Sequence, residues 1–165
     1  MITISEATAE DFPIIQKVAY ETWPITYGNI LSKEQLDYML EKFYSEKALR
    51  KDVIEKSHRF LLIKEENETL GFASYEHQHQ KNQLTRLHKL YVIPTAQGKG
   101  VGKLLLAEVE RLAKENQSKT VSLNVNRFNN AYDFYLKNSY KKTQEIDISI
   151  GQGFLMEDYV MEKKL

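Results

Sequence analysis

The glycines of Gln97-Gly98-Lys99-Gly100-Val101-Gly102 alternate with other residues, and this is the strongest chemical signal in the chain. They lie between an apolar run ending at Pro94 and a stretch with helical spacing, Val101, Leu104, Leu105, Glu108, Val109 and Leu112. A glycine turn at a strand end lets successive N–H groups face one concavity beside the positive end of a helix dipole. Phosphate or pyrophosphate is the usual occupant of such a place. A Walker A loop would need wider glycine spacing and Ser or Thr after Lys103, where Leu104 stands. A dinucleotide fingerprint would need glycine at Lys103 or at Leu105. Both patterns fail. On the glycines alone, an anion cradle and a loop that only eases a helix start both stay open.

The other chemistry-bearing residues are fewer. Arg86 and His88 are two apart, so a strand would put them on one face. His77 and His79 would also share a strand face and could offer two metal ligands, but no third is evident, so a solvated pair and no metal are expected. The chain has no cysteine, which excludes disulfides, thiolate metal sites and a cysteine nucleophile. Lys plus Arg and Asp plus Glu number 23 each, and no dense basic block exists to hold nucleic acid. No stretch reaches the roughly 18 apolar residues of a membrane span, and residues 1–6 lack the basic and apolar regions of a signal peptide. A cytoplasmic protein, with no membrane or nucleic-acid partner, is expected.

At 165 residues, with 42% apolar and 11% aromatic content, the chain fits one domain spanning 1–165. A short strand at 2–4 precedes a helix carrying Phe12, Ile15, Val18 and Ala19, which Trp23-Pro24 should interrupt. Ser32 and Gln35 form a capping box before Leu36, Met39, Leu40 and Phe43, and a third helix is expected over 46–54. Strands at 59–64 and 70–76 flank a polar turn and read as a hairpin. Residues 83–93 form another strand ended by Pro94. After the glycine loop come a helix to about 116, a strand at 120–125, a helix from 129 or 130 to 138, and strands at 141–148 and 154–161.

The segment from Leu87 to Leu105 resembles the acetyl-CoA-binding core of the GNAT superfamily of N-acetyltransferases: a strand, then Gln/Arg-x-x-Gly-x-Gly/Ala, then a helix, matched at Gln97, Gly100 and Gly102. The block from Asn129 to Tyr140 resembles the next stretch of that family, with Ala131 and Tyr135 in place, Asn129 one place after the family's usual asparagine position at Phe128, and Ser139-Tyr140 for its usual Gly-Phe. The resemblance implies an α/β (α+β) fold, with a mixed, mostly antiparallel sheet of about six to seven strands flanked by helices and a splayed central parallel pair. It implies acetyl-CoA as co-substrate, held by Gln97, Gly98, Lys99, Gly100, Val101, Gly102 and Lys103, by the backbone of Leu90, Tyr91 and Val92, and by Asn129 and Tyr135. It implies Tyr135 as proton donor to the departing sulfur, a role suited to a phenol that keeps its proton at pH 7. Arg86 stands where many members carry a glutamate base, and an arginine cannot accept a proton; His88 is a candidate to relay it, beside desolvation and water, with no single indispensable base expected.

Acceptor groups in that family come from the first helices and last strands, here Tyr20, Trp23 and Tyr27 with Asp147, Glu157 and Asp158. Residues 21–27 and 158–165 resemble bacterial spermidine/spermine N-acetyltransferases, and aromatics with carboxylates suit a polyamine. The expected partner is a small-molecule amine and the expected assembly a monomer or homodimer. Two other readings stand beside this one: acetylation of a protein or peptide amine, and a non-catalytic acyl-CoA-binding module.

Overall fold

The computed structural model describes residues 1–165. After β1 (Ile2–Glu6) come three helices, α1 (Phe12–Tyr27), α2 (Lys33–Tyr44) and α3 (Glu46–Ile54). The hairpin β2 (Arg59–Glu65) and β3 (Glu68–Glu76) leads to β4 (Leu84–Val92), then α4 (Val101–Glu115), β5 (Thr120–Asn126), α5 (Ala131–Lys137), β6 (Lys141–Gly151) and β7 (Phe154–Lys164). The seven strands form one sheet in the order β1-β2-β3-β4-β5-β7-β6, and every pairing is antiparallel except β4 with β5. The mixed α/β architecture with a central parallel pair agrees with the sequence reading.

Successive side chains of β4 sort the helices to opposite faces. Tyr91 packs against Trp23 of α1 at a ring separation of 5.7 Å, whereas Leu90 approaches Gly102 of α4. α4 is amphipathic, with Val101, Leu105, Leu106, Val109 and Ala113 buried on one stripe. Ser32 and Ser45 cap α2 and α3, each accepting a backbone N–H three residues on.

The expected break at Trp23-Pro24 does not occur. α1 runs through Pro24 to Tyr27, and Gly28 N–H donates to the Pro24 carbonyl at 2.9 Å. Proline in a helix interior removes one backbone bond and costs about 3 kcal/mol. Here it lies on the exposed side, while Thr22, Trp23 and Tyr27 are buried on the other. Burial of two large aromatics one turn apart, roughly 1.5–3 kcal/mol each, outweighs the proline's penalty. The unbroken helix is what turns Tyr27 toward the centre of the sheet.

Candidate active site

The parallel ladder between β4 and β5 is short. It begins at Leu84↔Thr120 and ends at Leu87↔Leu123. Beyond that point β4 stays paired with β3 through Val92, and β5 stays paired with β7 through Asn126. The cause is local. The β3–β4 register shifts so that Tyr75 faces Leu87 while Ser74 faces Lys89, leaving His88 as the extra residue of a bulge. A bulge bends its strand and raises its twist. The two central strands therefore part, and the edge of Leu90, Tyr91 and Val92 facing β5 has no ladder partner.

A cavity of about 220 Å³ fills this wedge. Trp23, Tyr27, Phe43, Tyr44 and Tyr91 wall one side, and Tyr135, Ala131 and Asn129 another. Tyr27 and Tyr91 are hydroxyl to hydroxyl at 2.9 Å, which holds both rings in place. Tyr135, on α5, is buried, and burial together with nearby Tyr27 pushes its phenol above the ordinary tyrosine range. It stays protonated at neutral pH and can only donate.

One carboxylate lines the cavity. Asp158 of β7 sits opposite Asn126 in the β5–β7 ladder and is 4% exposed. Burial raises its pKa to about 6, partly offset by the Asn124 side chain within hydrogen-bonding reach and by Arg127 and Arg86, with Asp147 adding to the rise. Arg86 does not project free charge into this space: its guanidinium donates to Ser122 Oγ and Asn124 Oδ1. With its oxygen engaged by Arg86, the Asn124 amide turns its N–H toward Asp158.

Lys89 also lines the cavity but is tied to Asp52 at 3.2 Å, with its ammonium over the Tyr44 and Phe60 rings. His88 Nε2 lies 2.9 Å from Glu76 Oε1, and its ring stacks on His58 at 3.9 Å. Burial, and the neighbouring His58, lower its pKa to about 3.

His77 and His79 do not share a strand face, contrary to expectation, because β3 ends at Glu76 and the chain turns through left-handed Gln78. His77 bonds Thr85 Oγ1 and His79 bonds Glu76, both at 2.8 Å. The gathering of His58 and His88 with Glu76 was not legible in the sequence, since the loop before β2, β4 and β3 each supply one of them. Their ligand atoms lie within 4.8 Å of one another. The two imidazoles are stacked at 17°, so an ion bonded to both would sit out of the plane of at least one ring.

Between β4 and α4 the glycine loop adopts the conformation its composition allows. Gly98 and Gly100 have φ of +79° and +80°, and a side chain on either would meet open space. Gly100 caps α4, whose first N–H groups have no intrahelical acceptors. Gly102 lies within the helix, where an added methyl would just touch the Phe134 ring at 3.4 Å. Gln97 Nε2 donates to the Val92 carbonyl at 3.1 Å, fastening the loop to the end of β4. Lys99 and Lys103 are exposed beside it.

An acetyltransferase (GNAT) domain profile matches residues 29–163. The chain belongs to the GNAT acetyltransferases. It is 30% identical, over 94% of its length and 96% of the relative's, to a spermidine N(1)-acetyltransferase of Thermoplasma acidophilum. Among solved structures, the PaiA N-acetyltransferase of the same organism in complex with coenzyme A superposes with a TM-score of 0.84 at 28% identity, covering 100% of this chain and 99% of that one. A GCN5-related N-acetyltransferase from Rhodopseudomonas palustris, at 21% identity and a TM-score of 0.83, shares the fold. The protein is thus an acetyl-CoA-dependent N-acetyltransferase.

Proposed function

We propose that this GNAT enzyme acetylates the primary amine of a small molecule, with a polyamine as the leading candidate, by direct attack of the amine on acetyl-CoA. The observation that carries the reading is the wedge between β4 and β5, filled by an aromatic cavity with a single lining carboxylate, where β4 runs on into the glycine loop before α4. Left-handed Gly98 and Gly100, with nothing in front of them, suit close approach of a pyrophosphate to backbone N–H groups at the start of α4. The unladdered edge of Leu90, Tyr91 and Val92 suits hydrogen bonding to the pantetheine amides and to the thioester carbonyl. Asn129 and Tyr135 complete that side, and Tyr135 supplies the proton to the leaving sulfur.

The acceptor enters the aromatic half, lined by Trp23 and Tyr27, and aromatic rings attract an alkylammonium. At about 220 Å³ the cavity is smaller than typical ligand pockets of about 300–1,000 Å³. The likeness to an enzyme that acts on spermidine supports the polyamine class. A panel of alkyl amines, polyamines and peptides, assayed with acetyl-CoA by thiol release, tests the reading. Turnover of spermidine or spermine well above that of peptides is the expected result, and preference for a peptide amine overturns it.

A further inference from the structure

We infer that Asp158 is the general base of this site, taking a proton from the acceptor's ammonium inside the cavity. The inference rests on the acetyltransferase reading and assigns a residue that the reading leaves open. An alkyl amine with a pKa near 10.4 is neutral in only about one molecule in a thousand at pH 7, so the site must either select that fraction or generate it. Among the residues lining the cavity, Asp158 is the one carboxylate. The two other ionisable nitrogens are engaged elsewhere: Lys89 with Asp52, and His88 with Glu76.

The surroundings of Asp158 fit proton transfer better than a permanent ion pair. The groups facing it are Asn124 of β5, Arg86 of β4, Arg127 after β5, Asp147 of β6 and Tyr27 of α1. Arg127 is committed to Asp147 at 2.6 Å and to the backbone carbonyls of Ile146 and Asp158, and Arg86 to Ser122 and Asn124. Neither cation forms a salt bridge with the Asp158 carboxyl, whose side-chain hydrogen-bonding neighbour is the neutral Asn124 amide. A carboxylate 4% exposed and without a bonded cation, lining a cavity that six Trp, Tyr and Phe side chains also line, stands in a medium that penalises charge. When an ammonium enters, both members of the ion pair are desolvated, and the neutral pair of carboxylic acid and amine gains relative to it.

The protons balance. Asp158 accepts one from R–NH₃⁺, leaving R–NH₂ with its lone pair free. That pair forms the N–C bond as the C–S bond breaks, and the sulfur leaves with the C–S electrons. Tyr135 gives the sulfur its proton, and the phenolate recovers one from the acylated nitrogen. Asp158 then releases its proton to solvent, so the net products are the N-acetyl amine, the free thiol and one H⁺.

The test is Asp158→Asn, judged first on calorimetric binding of acetyl-CoA and on the carboxyl ¹³C spectrum of the wild-type protein alone. The expected results are unchanged acetyl-CoA binding in the variant and a wild-type carboxyl resonance that titrates near 6 and disappears in it. For an alkyl amine, kcat should fall by roughly 10²–10⁴-fold, and the limb of kcat/KM that rises near pH 6 should vanish. For an aryl amine or hydrazide, already neutral at pH 7, the deficit should shrink to a few fold. A rise in KM at unchanged kcat overturns the inference in favour of a simple ammonium anchor, as does an equal loss with both amine classes. Should the variant not fold, the wild-type spectrum still decides, since no carboxyl titrating above pH 5 overturns the inference. Wild-type protein that neither binds acetyl-CoA nor acetylates any amine refutes the underlying reading instead.

Discussion

Tyr135 and Asp158 pose a common problem at the residue scale, because each is buried among groups that would rather not carry charge. For Tyr135 this is harmless, since a donor must keep its proton until the sulfur needs it. Tyr135→Phe should therefore lower kcat by roughly 10²-fold or more while leaving acetyl-CoA affinity within a few fold, as measured by single-turnover kinetics and calorimetry. For Asp158 burial has a cost. Its pKa is about 6 in the folded protein against 3.8 for the free side chain, so the folded state binds this proton more tightly than the unfolded one. The sign follows: the group's penalty is absent below about pH 4, grows as pH rises to 6, and is complete above it. A rise of about two units corresponds to about 3 kcal/mol as an upper figure. Asp158→Asn should accordingly raise the melting temperature at pH 7.5 and lose that advantage by pH 4. His88→Ala, in contrast, removes a ring stacked on His58 and bonded to Glu76. It should reduce kcat by less than about tenfold.

At the scale of elements, two features place these residues: the bulge at His88 and the helix that ignores its proline. The bulge parts β4 from β5 after Leu87, and the gap it leaves is the cavity. α1 carries Trp23 into that gap, and carries Tyr27 there only because it continues past Pro24. Pro24 is exposed, so Pro24→Ala should restore a helical N–H without disturbing the buried face, stabilising the protein by about 1–2 kcal/mol in denaturant melts. The glycine loop is the third such element. Gly100→Val should cost about 1–2 kcal/mol because φ is +80° there, and should weaken acetyl-CoA binding at least tenfold by calorimetry while the fold persists. Wild-type affinity in a folded Gly100→Val protein would remove the loop from the site.

Across the whole molecule, one cluster of 34 buried residues joins the helices on both faces of the sheet, and the wedge opens through its middle. A ligand bridging β4 and β5 there supplies hydrogen bonds that the sheet itself leaves unmade. Coenzyme A at about 100 times its dissociation constant should stabilise the folded state by about 2.7 kcal/mol, visible as a rise in melting temperature. Amide exchange at Leu90, Tyr91 and Val92 should slow in the same complex.

The sequence by itself determined the pieces whose signals are local. The glycine spacing marked a loop before α4, the serine caps marked α2 and α3, and period-two alternation marked β5; all are set by backbone geometry within a few residues. Two matched blocks were enough to indicate the family. Only tertiary structure decided where α1 ends, since the burial that outweighs Pro24 comes from strands and helices distant in sequence. Only tertiary structure brought His58, His79 and His88 around Glu76, and only the strand order put Asp158, from the last strand, beside the centre of the sheet. Such long-range pairings leave no periodic trace in a single chain, because each partner obeys only the pattern of its own strand or turn. The basicity of Asp158 depends on what surrounds it, and apart from Asp147 of the neighbouring β6 the surroundings come from β4, the end of β5 and α1, all distant in sequence.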